Sequence, residues 1–278
     1  MMKPSTSLRF AISSWFLLLV ILVMPAGDPA LAQDSKAWTE IRSELYGGDR
    51  TVHDGSGLLE IEAPDRAQDA ALVPISIKSL IGPDDERYIK SLTIVIDENP
   101  APVAGTFHFS RANGIADIAT RVRVNAYSNI RAIAEMDDGQ LYMAETFVKA
   151  SGGCAAPATK NNAQAMARLG DMRMRQIGDW EVDQPAEVQL MISHPNFSGL
   201  QTDQVTQLWI PSHYVNDLAV SIDGQEILTF EGDISISENP SFNFFVMPQG
   251  EGELTARATD TKGNVFEQSW PLRMGSAS

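Results

Sequence analysis

One cysteine stands in 278 residues. An internal disulfide is thereby excluded, so Cys154 is an inert buried thiol, a partner for another molecule, or a working group. Positive charge is scarce as well, with 21 Lys and Arg against 36 Asp and Glu and a formal net charge of −15. Nucleic acid and anionic membrane surfaces demand basic patches, so neither is expected as a partner. The four histidines, His53, His108, His194 and His213, include no His-x-His or His-Glu-x-x-His pair. With no second cysteine beside them they spell no metal motif and read as hydrogen-bonded loop histidines. Also missing are a Gly-x-Ser-x-Gly elbow, a Walker loop, a dinucleotide fingerprint and an Asp-rich calcium loop, so no metal or cofactor is expected. Asn196-Phe197-Ser198 matches a glycosylation acceptor, a short pattern with a high chance rate.

A long apolar run occurs once, from Phe10 to Met24, behind Lys3 and Arg9. Pro25 and Gly27 break it, and Ala30-Leu31-Ala32 offers a small-x-small cleavage site before Gln33. Residues 1–32 therefore read as a secretory signal peptide cut after Ala32. The run is short for a membrane span of roughly twenty residues, and nothing comparable follows, so a soluble exported protein with no membrane contact after cleavage is expected.

What is present is mostly β. Residues 36–46 place Trp38, Ile41, Leu45 and Tyr46 on one helical face, stopped by Gly47-Gly48. Short alternating or β-branched runs then follow: Leu59–Glu62, Val73–Ile77, Leu92–Ile96 and Val122–Val124. Asp137-Asp138-Gly139 marks a hairpin turn, and Asp223-Gly224 a second. Asp97-Glu98-Asn99-Pro100 reads as a strand-ending loop. Residues 155–182 are polar and alanine-rich, with Arg168, Arg173 and Arg175, and read as a linker with some helix. The expectation is all-β: two antiparallel β-sandwiches, 36–154 and 183–274, joined by that linker.

Cys154 lies in Ser151-Gly152-Gly153-Cys154-Ala155-Ala156-Pro157. Two glycines before it and small residues after it leave the sulfur sterically bare on a pliant backbone, a poor core and a good presenting arm. A free thiol is only a few per cent thiolate at neutral pH unless a cation helps, and Lys149 and Lys160 are distant along the chain. Catalysis by a cysteine–histidine pair, as in a thiol transferase, would need a base that this segment does not supply.

The ordered motifs resemble the SoxY and SoxZ sulfur-carrier proteins in one polypeptide. On the SoxY side stand the Trp38 helix, Val73-Pro74-Ile75, Asn99-Pro100-x-Pro102, Thr120-Arg121-Val122-Arg123 and Gly152-Gly153-Cys154. On the SoxZ side stand His194-Pro195, Ile210-Pro211-Ser212-His213-Tyr214-Val215, Ser237-Glu238-Asn239-Pro240-Ser241-Phe242 and Asp260-x-x-Gly263. The fused form is similar to SoxYZ-like carriers associated with quinoprotein dehydrogenases. The resemblance implies two immunoglobulin-like domains in tight contact and a non-catalytic periplasmic carrier. It implies Cys154 as the covalent attachment site, Gly152 and Gly153 as its arm, and Sox-type or quinoprotein-dehydrogenase oxidoreductases as partners. An accessory assembly module without covalent cargo is the alternative. One departure is plain: the family's arm ends its chain in Gly-Gly-Cys-Gly-Gly, whereas here Ala155-Ala156-Pro157 and a second domain follow.

Overall fold

The helix expected near the start forms as α1 (Lys36–Tyr46), with Trp38 and Ile41 buried and Leu45 left at the surface. The computed structural model describes Met1 and residues 35–157 and 166–276. The signal-peptide segment up to Ala32, apart from Met1, lies outside the described residues, and no helix among them is long and apolar enough to cross a membrane. From Lys36 onward the chain forms one compact unit.

The first half contributes β1 (Val52–Asp54), β2 (Leu59–Glu62), β3 (Val73–Ser79), β4 (Ile89–Ile96), β5 (Val103–Phe109), β6 (Ile118–Val122), β7 (Ser128–Met136) and β8 (Leu141–Val148). The second contributes β9 (Met172–Ile177), β10 (Asp179–Trp180), β11 (Ala186–Ile192), β12 (Val215–Ile222), β13 (Gln225–Gly232), β14 (Ser241–Val246), β15 (Gly252–Asp260), β16 (Val265–Leu272) and β17 (Gly275–Ser276). Both expected hairpins are present: β7 pairs with β8 through Gly139 (φ +83°), and β12 with β13 through Asp223 (φ +50°) and Gly224 (φ +81°). Positive φ at both central residues suits the twist of flanking strands.

The fold is all-β, a two-layer sandwich, and its two halves are joined edge to edge. The nine-stranded sheet runs β1-β8-β7-β4-β5-β13-β12-β15-β16 and the six-stranded sheet β2-β3-β6-β14-β11-β9. Strand β5 pairs antiparallel with β13, from Phe109↔Leu228 to Gly105↔Gly232, and β6 pairs with β14 through Ile118↔Phe244. Each sheet thus passes from one half into the other. The main apolar core follows it, from Leu58 to Leu272. At the seam Phe107, Phe230 and Phe242 form an aromatic cluster with centroids 4.5–5.7 Å apart. Gly105 makes this possible, since a Cβ there would meet the Phe230 ring at 2.4 Å. Joining edges this way removes four exposed strand edges, those of β5, β13, β6 and β14, a recognised hazard for isolated sheets.

Strand β9 falls inside the 155–182 stretch read as linker. Met172 and Met174 alternate with Arg173 and Arg175, and the strand pairs with β11 at the rim of the six-stranded sheet. The alternation was visible, but the arginines on the exposed face made it look like a basic connector.

Asp97, at the strand end where a loop was expected, is buried. It receives the Arg131 guanidinium through Nε–Oδ1 at 2.8 Å and Nη2–Oδ2 at 2.9 Å, with both side chains 2% exposed. Arg131 also reaches Glu145 and lies 4.7 Å from the Trp38 ring, tying α1 to the outer face of the nine-stranded sheet. Around that contact Trp38, Ile41, Val95, Ile133 and Leu141 form a second, smaller core.

Candidate functional site: a docked cysteine arm

The segment after β8 folds back along the loop after β6. Gly152 N–H donates to Asn125 O at 2.7 Å, and Gly153 N–H to Val124 O at 3.0 Å. Gly152 is left-handed (φ +79°) and leads into a single 3-10 turn, Gly153–Ala155. A Cβ on Gly153 would lie 2.0 Å from Ala70 O and 2.7 Å from Val124 O, so only glycine passes this close to the first half's backbone.

The sequence suggested an exposed sulfur, and the structure buries it. Cys154 has 0% exposure, while Gly152, Ala155 and Pro157 around it remain accessible. The small residues that looked like flexibility allow close packing. The second half closes over the arm: Ser198 Oγ–H donates to Cys154 O at 2.5 Å, and Gln201 Nε2–H to Ala156 O at 2.8 Å. Gln201 Oε1 in turn accepts from Ser198 N–H at 3.1 Å, so the two grips hold each other. Burial pushes the thiol up to about 11, opposed only by the charge of Arg123. At pH 7 such a thiol is ionised to about one part in ten thousand, so the docked arm is unreactive.

Arg123, in the loop after β6, spans the seam beside the arm. Its Nη1–H donates to Gly153 O and its Nη2–H to Asn196 O, both at 3.2 Å. Lys149 and Lys160 are the nearest basic residues in sequence but distant along the chain, and the cation whose field acts on the thiol is Arg123, 31 positions upstream by number. Asn99, also buried, donates from Nδ2 to Arg123 O at 2.7 Å and to Ser235 Oγ at 2.9 Å, fixing the loop that carries this arginine to the second half.

The histidines divide into two kinds. His53 is exposed on β1 and stacks near Tyr142, and His108 is half-buried on β5. His194 and His213 are buried together with Asp260, their rings edge to face at 4.6 Å. Their ligand atoms and those of Asp260 lie within 4.8 Å of one another, an arrangement with the right donors for a metal ion. The hydrogen bonding opposes that use in this state. Asn196 N–H donates to His194 Nδ1 at 3.0 Å, which places the ring proton on Nε2, facing Asp260 Oδ2 at 3.5 Å. Asp260 Oδ2 also accepts from His213 Nε2 at 2.7 Å and Asn264 Nδ2 at 2.8 Å, and Oδ1 accepts from the N–H groups of Lys262 and Asn264. Hydrogens, not lone pairs, fill the gap. Burial alone would raise the Asp260 carboxyl, but these donors, Asn264 and His213 foremost, hold it well below the usual carboxylate range. Burial and the neighbouring His213 push His194 down to about 4. The cluster therefore acts as a neutral-histidine strut under the 194–201 loop that grips the arm. It was missed in the sequence because Asp260 reaches the histidines only through the pairing of β12 with β15. The glycosylation pattern is void here, since Asn196 is 0% exposed.

The family model of sulfur oxidation protein SoxY matches residues 42–154, and that of sulphur oxidation protein SoxZ matches residues 174–271. The chain is a fused SoxY/SoxZ-like sulfur carrier protein. The first match ends on Cys154, and the second begins inside β9. Among solved structures, the fused carrier is similar to the sulfur carrier protein SoxY from Chlorobium limicola f thiosulfatophilum, at 20% identity over 40% of this chain and 89% of that one, with a TM-score of 0.34. A superoxide reductase (neelaredoxin) from Ignicoccus hospitalis aligns at 15% identity over 33% of this chain and 79% of that one, with a TM-score of 0.30. No curated protein matches the fused carrier.

Proposed function

We propose that this protein is a periplasmic, non-catalytic carrier that holds a sulfur-containing intermediate covalently on Cys154 and presents it to partner oxidoreductases of a Sox-type or quinoprotein-dehydrogenase system. The single observation that carries the reading is where the lone cysteine sits. It is the last residue of the SoxY match, on an arm gripped by side chains of the SoxZ half. The arm's hold is polar: Arg123, Ser198 and Gln201 donate to its carbonyls, and its Gly152 and Gly153 N–H groups donate to Asn125 O and Val124 O, with accessible residues on both sides of the sulfur. Net hydrogen bonds are worth about 1 kcal/mol each, and undocking breaks these contacts while both sheets stay paired. In the docked form the thiol is protected, and in the undocked form its acidity returns toward that of a free cysteine. A thiol-transferase reading needs a base at the sulfur, and Cys154 Sγ has no hydrogen-bond partner among the described residues. Loading and release thus fall to partners.

The test is intact mass of the protein purified from its own host, with and without reductant. A reductant-labile adduct on Cys154 is the expected result. A bare thiol under active metabolism would instead favour an accessory assembly module without cargo, a reading to which the burial of Cys154 lends weight.

A further inference from the structure

Two arginines are fully buried, and they are treated differently. Arg131 is met by both oxygens of Asp97 and by Glu145. Arg123, 1% exposed, has no carboxylate within ion-pair distance among the described residues. Its two Nη atoms donate to backbone carbonyls, one from the cysteine arm and one from the second half, and its Nε–H has no hydrogen-bond partner among the described residues. Asp69 and Glu238 act on it through their charge, as the Cys154 sulfur does once ionised. A buried cation without a directly bonded carboxylate is costly, and leaving a buried donor unpaired adds to that cost. Nothing in the fold requires a guanidinium for bridging two carbonyls, because a neutral amide donor would bridge them without the charge. The arrangement becomes economical once an anion sits beside it. Beside the guanidinium, on the arm it holds through Gly153 O, is the sulfur of Cys154, which is neutral in the docked arm.

We infer that Arg123 is the charge partner of an anionic, oxygen-bearing group carried on the Cys154 sulfur, with its free Nε–H as the unused donor. This deepens the carrier reading and rests on it. Arg123 then acts as a specificity-determining residue: an arm loaded with a sulfonate- or carboxylate-terminated adduct re-docks with its charge matched, and an arm loaded with an uncharged group does not gain that match. A residue that merely bridges the two halves would be indifferent to the charge on the adduct.

Two reagents build the comparison on the whole mature protein. Tetrathionate is attacked by the Cys154 thiolate at a central sulfur; the central S–S bond breaks, thiosulfate leaves, and the cysteine carries –S–SO3−. Methyl methanethiosulfonate is attacked at its sulfenyl sulfur; its S–S bond breaks, methanesulfinate leaves, and the cysteine carries –S–CH3. In each case one S–S bond replaces another and the thiol proton goes to buffer. Melting temperatures at pH 7 are then read for both adducts in the parent and in Arg123→Gln. The sulfonate adduct is expected to melt about 5 °C above the methyl adduct in the parent, and the gap is expected to close or reverse in Arg123→Gln. An absent gap in the parent overturns the inference, whether or not Arg123→Gln folds. So does an equal gap in both proteins. Where the folded protein admits neither reagent, Cys154→Asp and Cys154→Asn stand in for the charged and neutral arms. Asp is expected above Asn with Arg123 present and below it with Arg123→Gln, and the same order in both backgrounds overturns the inference. These outcomes are separable from failure of the carrier reading, which shows as a native protein without any adduct on Cys154.

Discussion

Ser198 donates its hydroxyl to the carbonyl of Cys154 at 2.5 Å, across 44 positions and from one half of the chain to the other. The contact gives the second half control over the arm of the first. Its removal in Ser198→Ala takes that hydrogen bond, about 0.5–1.5 kcal/mol, from the docked state, and with it the acceptor of Leu200 N–H within the gripping loop. Alkylation of Cys154 by iodoacetamide at pH 8 is then expected to run about two- to tenfold faster, with the melting temperature nearly unchanged. Equal rates in parent and variant would show that the arm is not held there.

Gly153→Ala attacks the same equilibrium from the other side. Its Cβ falls 2.0 Å from Ala70 O, backbone that has little room to retreat. Overpacking of this kind costs about 1–3 kcal/mol, and undocking relieves it without disturbing either sheet. The variant is expected to keep its far-ultraviolet circular dichroism and to expose its thiol to Ellman's reagent about tenfold faster or more. A protein that instead loses its cooperative melt would mean that the arm is part of the core.

These two positions mark how far the sequence could be read. Local chemistry announced α1, the Asp137–Gly139 and Asp223-Gly224 turns, and the strand character of most of the chain, because each depends on residues adjacent in sequence. Gly152 and Gly153 were legible as a sterically bare stretch but not as one packed against the first half's backbone. The same absence of side chains serves flexibility and close approach equally, and only the position of Ala70 O decides between them. The sharing of both sheets was not legible at all. Pairing Phe109 with Leu228 leaves no trace in either neighbourhood, and an edge strand looks like a central one when both faces are covered. Arg123 was noted as part of a motif, yet its lack of a carboxylate emerges only when the surrounding chain is in place.

The Arg131–Asp97 pair is expected to be structural. Asp97→Asn leaves a buried guanidinium facing an amide, with Glu145 as its remaining carboxylate. Breaking a buried pair from one side costs about 3–5 kcal/mol. Urea denaturation is expected to show a midpoint lowered accordingly, with Glu145→Gln causing a smaller loss because Glu145 is about a third exposed, at 31%. Equal effects from the two variants would mean that Asp97 is not the principal partner.

The His194–Asp260 strut makes stability depend on pH in a stated direction. The ordinary histidine value is 6.5, and in the folded protein His194 lies at about 4. Between those values the unfolded chain takes up a proton that the folded chain refuses, so stability is full above about pH 6.5 and falls as pH drops toward 4. The difference corresponds to a loss on the order of 3 kcal/mol across that window, the upper bound for one group. Asp260 has its own carboxyl held low, so its contribution persists through this window and is lost only at more acid pH. Denaturation midpoints measured from pH 8 to pH 4 are expected to fall in the parent. In His194→Gln, where the amide oxygen replaces Nδ1 as acceptor for Asn196 N–H, the fall is expected to be shallower. Because the strut supports the loop that carries Ser198 and Gln201, Cys154 labelling, corrected for thiolate content at each pH, should accelerate over the same range. A parent whose midpoint stays level from pH 7 to pH 4.5 would mean that His194 accepts its proton without cost and that the cluster is not the strut its hydrogen bonds describe.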